Sequence, residues 1–168
     1  LDLYFCPCLN PQAYVLNCRG NPSGVDLNRD YREPKTAEIL AHTAWLAQQA
    51  PFDLCLCLHE DWESHGFYLY ELNPQGLPSL AEVMIEDAGR VCPVDPSPLI
   101  EGRPAENGII RPQVDIDGRP DWPEAFYLVR HKAPVSYTLE APSDYPLSTR
   151  VDGLVTAVNS GLRAFLRM

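Results

Sequence analysis

The sequence predicts an α/β fold: a mixed, largely parallel β-sheet with helices on both faces, forming one domain over residues 1–168. Three observations predict it. Strand-like apolar runs alternate along the chain with runs of helical period. The run at 52–58 is almost continuously apolar, the pattern of a strand covered on both faces of a parallel sheet. A strand, a helix and a second strand follow in that order, which implies a right-handed crossover.

Each element has a local reason. Residues 1–9 are rich in Leu, Tyr, Phe and Cys and read as a strand. Residues 10–33 carry Asn-Pro, Arg-Gly, Asn-Pro and Ser-Gly pairs and read as a long loop, a length that usually marks function in a compact domain. A helix is expected over 34–49, with Pro34 at its first turn and Ala37, Leu40, Ala41, Ala44 and Ala47 as its apolar stripe. A short strand at 66–72 and a helix at 77–91, with Leu80, Val83, Met84 and Ala88 on one side, come next. Residues 92–122 lack periodicity and read as a surface excursion. A helix at 123–132 and a strand at 135–139 precede a last helix that ends at Met168. Ser148 or Thr149 is its expected cap, and Val151, Leu154, Val155, Val158, Leu162 and Phe165 its buried stripe.

A chain of 168 residues suits one core, and 45% hydrophobic with 21% charged residues is ordinary globular composition. The net charge of −10 argues against a nucleic-acid partner, which needs a basic face. No apolar run approaches the roughly 18 residues of a membrane span, so no membrane partner is expected. Cys6 with Cys8, and Cys55 with Cys57, alternate in strand-like runs and read as small buried apolar residues, which points to the reducing cytoplasm. A four-cysteine zinc site and disulfides are the other readings of these pairs.

The most informative stretch is GVDLNRDY at 24–31, with Arg19 nine residues before Asn28. A loop that gathers two guanidiniums and an amide suits an anion, because arginine pairs with a carboxylate through two parallel hydrogen bonds. The plain alternative is a solvated turn whose Asp26 and arginines pair with each other. With Arg32, these arginines form a positive feature in an acidic chain. In open α/β sheets functional groups collect at the carboxyl ends of strands. Asn10, His59 and Glu140 each fall at such a position, which places three segments in one cleft. A carboxylate at Glu140 is then partly desolvated, which raises its pKa toward general-base values.

Asn10-Pro11, Arg19-Gly-Asn21, the run from Gly24 to Arg29, Leu58-His59-Glu60 and Tyr137-Thr-Leu-Glu140 occur in one order. Together they resemble the zinc metallocarboxypeptidase family (carboxypeptidase A-like), over roughly residues 1 to 165. The resemblance implies a carboxypeptidase-like fold and a zinc cofactor with His59 as a metal ligand. It implies that Glu140 is the general base and that Arg19 stabilises the oxyanion. Asn28 and Arg29 would bind the substrate carboxylate. Glu60 and Asp61 could orient ligands, although Asp61 reads better as surface acid. Tyr127 and Tyr145 are candidate substrate-closing tyrosines. His42 is expected to pair with Glu38 one turn before it, His65 to line a cleft mouth, and His131 to lie on the surface.

The family's first two zinc ligands come from an H-x-x-E motif, and this chain has none. The expectation is that the N-terminal part of the family pattern lies outside this chain; loss of the metal in a degenerate homologue is the other explanation. A chain with one histidine ligand is expected to be weakly active or inactive by itself, since catalytic zinc takes three protein ligands. Three functions follow. The first is a metallocarboxypeptidase that removes C-terminal residues from peptides. The second is an N-acyl-amino-acid amidohydrolase of the aspartoacylase/succinylglutamate desuccinylase type, which shares Asn-Pro-x-Ala and Asp-Leu-Asn-Arg stretches. The third is a metal-free module that binds peptide C-termini. The partner in each is a peptide or N-acyl amino acid with a free carboxylate.

Overall fold

The computed structural model describes residues 1–113 and 115–168. Two compact units emerge. The first combines Leu1–Pro51 with Asp115–Lys132, and the second combines Phe52–Val114 with Ala133–Met168.

In the first unit, residues 1–9 are not a strand. They form no regular element, and residues 1–8 stay exposed, Phe5 at 78%. β-propensity reflects packing against neighbouring strands, and no strand pairs with this segment among the described residues. Cys6 and Cys8 are therefore exposed rather than buried. The long loop that follows holds helix α1, Pro11–Leu16. Asn10 caps it by accepting from the Ala13 amide at 3.2 Å, with Pro11 at the first turn. A single 3-10 turn, Leu27–Arg29, lies further along.

Helix α2 is Ala37–Gln48, and Thr36 rather than Pro34 starts it, through an Oγ1 that accepts from the Ile39 amide. Asp30 anchors that cap by accepting from the Lys35 and Thr36 amides and the Thr36 hydroxyl. Its buried face is Ile39, His42 and Leu46; the expected alanine stripe is on the other side, with Leu40 half exposed. Large side chains exclude more water than alanines and take the core face. Helix α4, Glu124–His131, matches expectation and also belongs to this unit.

The second unit is built on β1 (Cys55–Asp61), β2 (Tyr68–Leu72), β5 (Ile109–Ile110) and β6 (Ser136–Pro142). They form a sheet in the order β1-β6-β2-β5. The β1/β6 and β2/β5 pairs are parallel and the β6/β2 pair antiparallel, so the sheet is mixed and mostly parallel. A two-residue hairpin, β3 (Leu99–Ile100) with β4 (Arg103–Pro104), rises from the stretch read as structureless. Ile100 from it packs with Tyr68 and Ile110.

Helices α3 (Ala81–Ala88) and α5 (Leu147–Phe165) cover the face that carries Leu69, Tyr137 and Leu139. α5 buries Gly153, Ala157, Ser160 and Gly161; of the expected stripe Leu154, Val158 and Phe165 pack against the core, while Val151 and Val155 are exposed. A Cβ on Gly161 would sit 2.8 Å from the Met84 Sδ, so the small residues let α3 approach closely. No side chain caps α5, which starts after Pro146 rather than at Ser148 or Thr149.

A buried polar lock closes one end of this sheet. The Tyr137 hydroxyl accepts from the Leu80 amide at 2.9 Å and donates to Glu71 at 3.1 Å. Burial, with the Glu71 carboxylate beside it, pushes this hydroxyl up to about 12, against the opposing Leu80 donation. An unfolded tyrosine titrates near 10. The stabilisation is therefore full below pH 10 and lost as pH rises from 10 to 12, at most about 3 kcal/mol. Urea midpoints from pH 9 to 11.5 are expected to fall more steeply for the wild type than for Tyr137→Phe. Equal slopes would count against the lock.

Among the described residues, no helix is long and apolar enough to cross a membrane.

Candidate functional site

In the first unit, the 19–29 segment is a tightly tied loop. A Cβ on Gly20 would lie 2.9 Å from the Gly24 backbone, so only glycine permits this crossing. Asn21 accepts from the Ser23 and Val25 amides, and its own amide donates to the Val25 carbonyl at 2.9 Å. Asp26 then serves two groups. Its Oδ1 accepts from the Asn28 amide at 2.9 Å, and its Oδ2 accepts from Arg19 Nε at 2.8 Å.

Arg19 is 68% exposed, so this pair is a surface ion pair worth less than about 1 kcal/mol. Its two terminal nitrogens make no hydrogen bond among the described residues. The plain reading of an Asp–Arg turn thus holds for Nε and leaves most of the guanidinium fork available. Arg29 donates from Nη1 to the Asn28 carbonyl at 2.7 Å and is 3.7 Å from Asp121. Arg32 instead donates to the Arg119 carbonyl. The Asn28 side chain faces helix α4, where Oδ1 accepts from the Glu124 amide at 2.8 Å.

His42 is not paired with Glu38. Its Nδ1 lies 2.9 Å from the buried Tyr31 hydroxyl and 3.8 Å from Glu124, and its ring stacks on Trp45. Burial lowers its pKa, so it is held neutral. Glu38 accepts from Asn21 instead. His131 is exposed, as expected, with its ring against Tyr127 and Trp122.

In the second unit, His59 and Glu140 lie inside β1 and β6, in the carboxyl halves of two parallel neighbours. They are direct register partners, and Tyr68 is the partner of Glu140 on its other side. Register partners point to the same face, so His59, Glu140 and Tyr68 form one row across three strands. Asp61 shares that face, two residues beyond His59. It is buried, not surface acid, and accepts from the Tyr68 hydroxyl at 3.0 Å and the Glu63 amide at 2.9 Å. Burial raises the Tyr68 pKa, and nearby Glu140 and Glu101 add to it, so Tyr68 remains a donor. The strict alternation of Cys55, Cys57, His59 and Asp61 was the available signal for Asp61.

Glu60 points the other way and binds Arg150 of α5 at 2.6 Å. His65 is exposed near Asp144, and Tyr145 donates to the His65 carbonyl at 3.4 Å. Cys55 and Cys57 are buried, and no disulfide joins any of the six cysteines among the described residues.

The donors at hand do not compose a zinc site by themselves. No group of three His, Cys, Asp or Glu among the described residues is placed to hold a metal ion, and the row offers a single imidazole where catalytic zinc needs three protein ligands.

No family model matches this sequence, and no curated protein matches it. Solved structures do. A "putative metallopeptidase" from Shewanella amazonensis SB2B superposes with a TM-score of 0.77 at 25% identity, covering 94% of this chain and 62% of that one. One from Shewanella baltica OS155 gives 0.76 at 25% identity, covering 94% and 61%. A metallo-carboxypeptidase from Burkholderia cenocepacia gives 0.55 at 20% identity, covering 95% and 44%, and bears on the fold alone. The chain thus spans about three fifths of the Shewanella proteins' length. The mixed sheet, its flanking helices and these likenesses make the fold of this chain metallocarboxypeptidase-like.

Proposed function

We propose that the protein hydrolyses an amide bond next to a free carboxylate, as a metallocarboxypeptidase that removes C-terminal residues from peptides. The observation that carries this reading is the register pairing of His59 with Glu140 on neighbouring parallel strands. It sets an imidazole beside a carboxylate on one face, near the strand ends where α/β sheets gather their chemistry.

Each residue has a task that its own atoms can perform. Glu140 takes a proton from the attacking water and returns it to the leaving amine. Arg19, with its terminal nitrogens available, stabilises the oxyanion. Asn28 and Arg29 grip the substrate carboxylate through donors only. His59 would be one ligand of a zinc centre, and zinc, when bound, would supply the Lewis acidity. Among the described residues, no group of three His, Cys, Asp or Glu is placed to complete that centre.

The test uses the protein expressed from its complete gene. N-acylated dipeptides with a free C-terminus are expected to be cleaved and their C-terminal amides left intact. Chelation should remove the activity and zinc should restore it. Faster cleavage of simple N-acyl amino acids would move the assignment to the amidohydrolase type. Carboxylate-dependent binding without turnover would make the protein a C-terminus-binding module.

A further inference from the structure

We infer that the backbone N–H of Glu124, at the first residue of α4, is the positioning group that makes Asn28 a one-sided donor. This rests on the proposed reading of Asn28 as a carboxylate ligand.

Helix α4 begins after Pro123, which offers no side-chain cap. Its first amides lack intrahelical acceptors. The Glu124 amide finds one 96 residues away, in Asn28 Oδ1 at 2.8 Å. The helix thereby gains a cap from a distant loop, and the loop gains a fixed amide. A carboxamide has an acceptor end and a donor end that are alike in shape. A substrate carboxylate accepts only, so an amide free to rotate would often present the repelling oxygen. With Oδ1 held by a donor, Nδ2 is the end left to a ligand.

The main chain is held as well. Asp26 accepts from the Asn28 amide and Arg29 donates to its carbonyl, so Asn28 is fixed at three atoms. The determinant at position 124 is the backbone, and ordinary side-chain substitution does not reach it.

Proline at 124 does reach it. It deletes the N–H, and proline is tolerated at a first helical position. Pro123, at φ −68 and ψ 163, already has the extended backbone that a following proline requires. Glu124→Gln changes the side chain and keeps the N–H.

The experiment is NMR on the labelled protein, following the Asn28 side-chain NH₂ signals during titration with an N-acetyl amino acid and, separately, its primary amide. The wild type and Glu124→Gln should show a rigid, well-resolved Asn28 NH₂ pair. Glu124→Pro should show a mobile pair and bind the free acid about 3- to 10-fold more weakly, the range for immobilising one side chain. A rigid Asn28 NH₂ in a folded Glu124→Pro variant overturns the inference. If that variant does not fold, hydrogen exchange of the Glu124 amide decides. Asn28→Asp keeps the acceptor and should preserve protection, whereas Asn28→Ala should accelerate exchange at least about tenfold. Unchanged exchange in Asn28→Ala overturns the inference. If rigidity depends on the Glu124 N–H while acid and amide bind alike, the positioning stands and the carboxylate reading of the site fails.

Discussion

Glu140→Gln, made in the protein expressed from its complete gene, is expected to lower kcat for cleavage of a free-carboxylate peptide by about 10²- to 10⁴-fold, with KM little changed. Glutamine has the shape of glutamate and cannot take a proton from water. The strand has no reason to move, because its pairing with β1 and β2 uses backbone groups. The effect therefore separates chemistry from folding: the unfolding midpoint should stay within a few degrees while turnover collapses. A variant that retains more than a tenth of wild-type kcat would remove Glu140 from the general-base role. A matching loss of thermal stability would mean that the position is structural. Asn28 and Arg29 should show the opposite kinetic split, because a grip on the ground-state carboxylate is uniform binding and appears mainly in KM.

The nearness of His59 and Glu140 was legible because both follow apolar strand runs, and parallel neighbours bring such ends side by side. The expected strands at 52–58 and 135–139 put His59 and Glu140 just past their ends, whereas the strands run on to Asp61 and Pro142 and take both residues inside. The tied loop at 19–29 was legible through its Gly, Asn and Asp residues, each of which has a local hydrogen bond to make. The partner of Asn28 was not legible, since a bond across 96 residues has no local signature. The same holds for His42. Glu38 is one helical turn away and looks like its partner, but tertiary packing brings Tyr31 and Glu124 to it instead.

The α3 face, with Leu80, Met84 and Ala88, is buried as expected, whereas α2 and part of α5 turn otherwise for a physical reason. The α2 stripe was read from alanines, while Ile39 and Leu46 bury more apolar area per residue and decide the orientation. In α5, Leu154, Val158 and Phe165 pack as expected, but close approach to α3 gives the centre of the buried face to glycine and alanine and leaves Val151 and Val155 exposed. Residues 1–9 have strand composition but no pairing neighbour among the described residues, and composition alone makes no ladder. Strand β5 has two residues, too few for alternation to register.

Removal of Arg111 is expected to destabilise the second unit strongly, at about 3 kcal/mol for Arg111→Ala. Glu71 is 5% exposed and accepts from Arg111 Nε at 2.6 Å, from the Tyr137 hydroxyl and from Asn73. Arg111 also reaches Glu82 on α3 at 2.5 Å, so one guanidinium ties the sheet to its covering helix. The two partners are not equivalent. Arg111 is 42% exposed and would be hydrated if Glu71 were lost. Glu71 would be left as a buried carboxylate with no cation. Glu71→Gln should therefore cost less than Arg111→Ala, about 1–3 kcal/mol. The double variant should be more stable than Arg111→Ala alone, because the second substitution removes the stranded charge. Additive losses in urea denaturation would show that Arg111 acts through Glu82 or packing rather than through Glu71. This lock sits three residues along β6 from Glu140, at Tyr137. One end of the sheet thus carries the buried network that fixes its geometry, and the other carries the imidazole and carboxylate that the proposed chemistry uses.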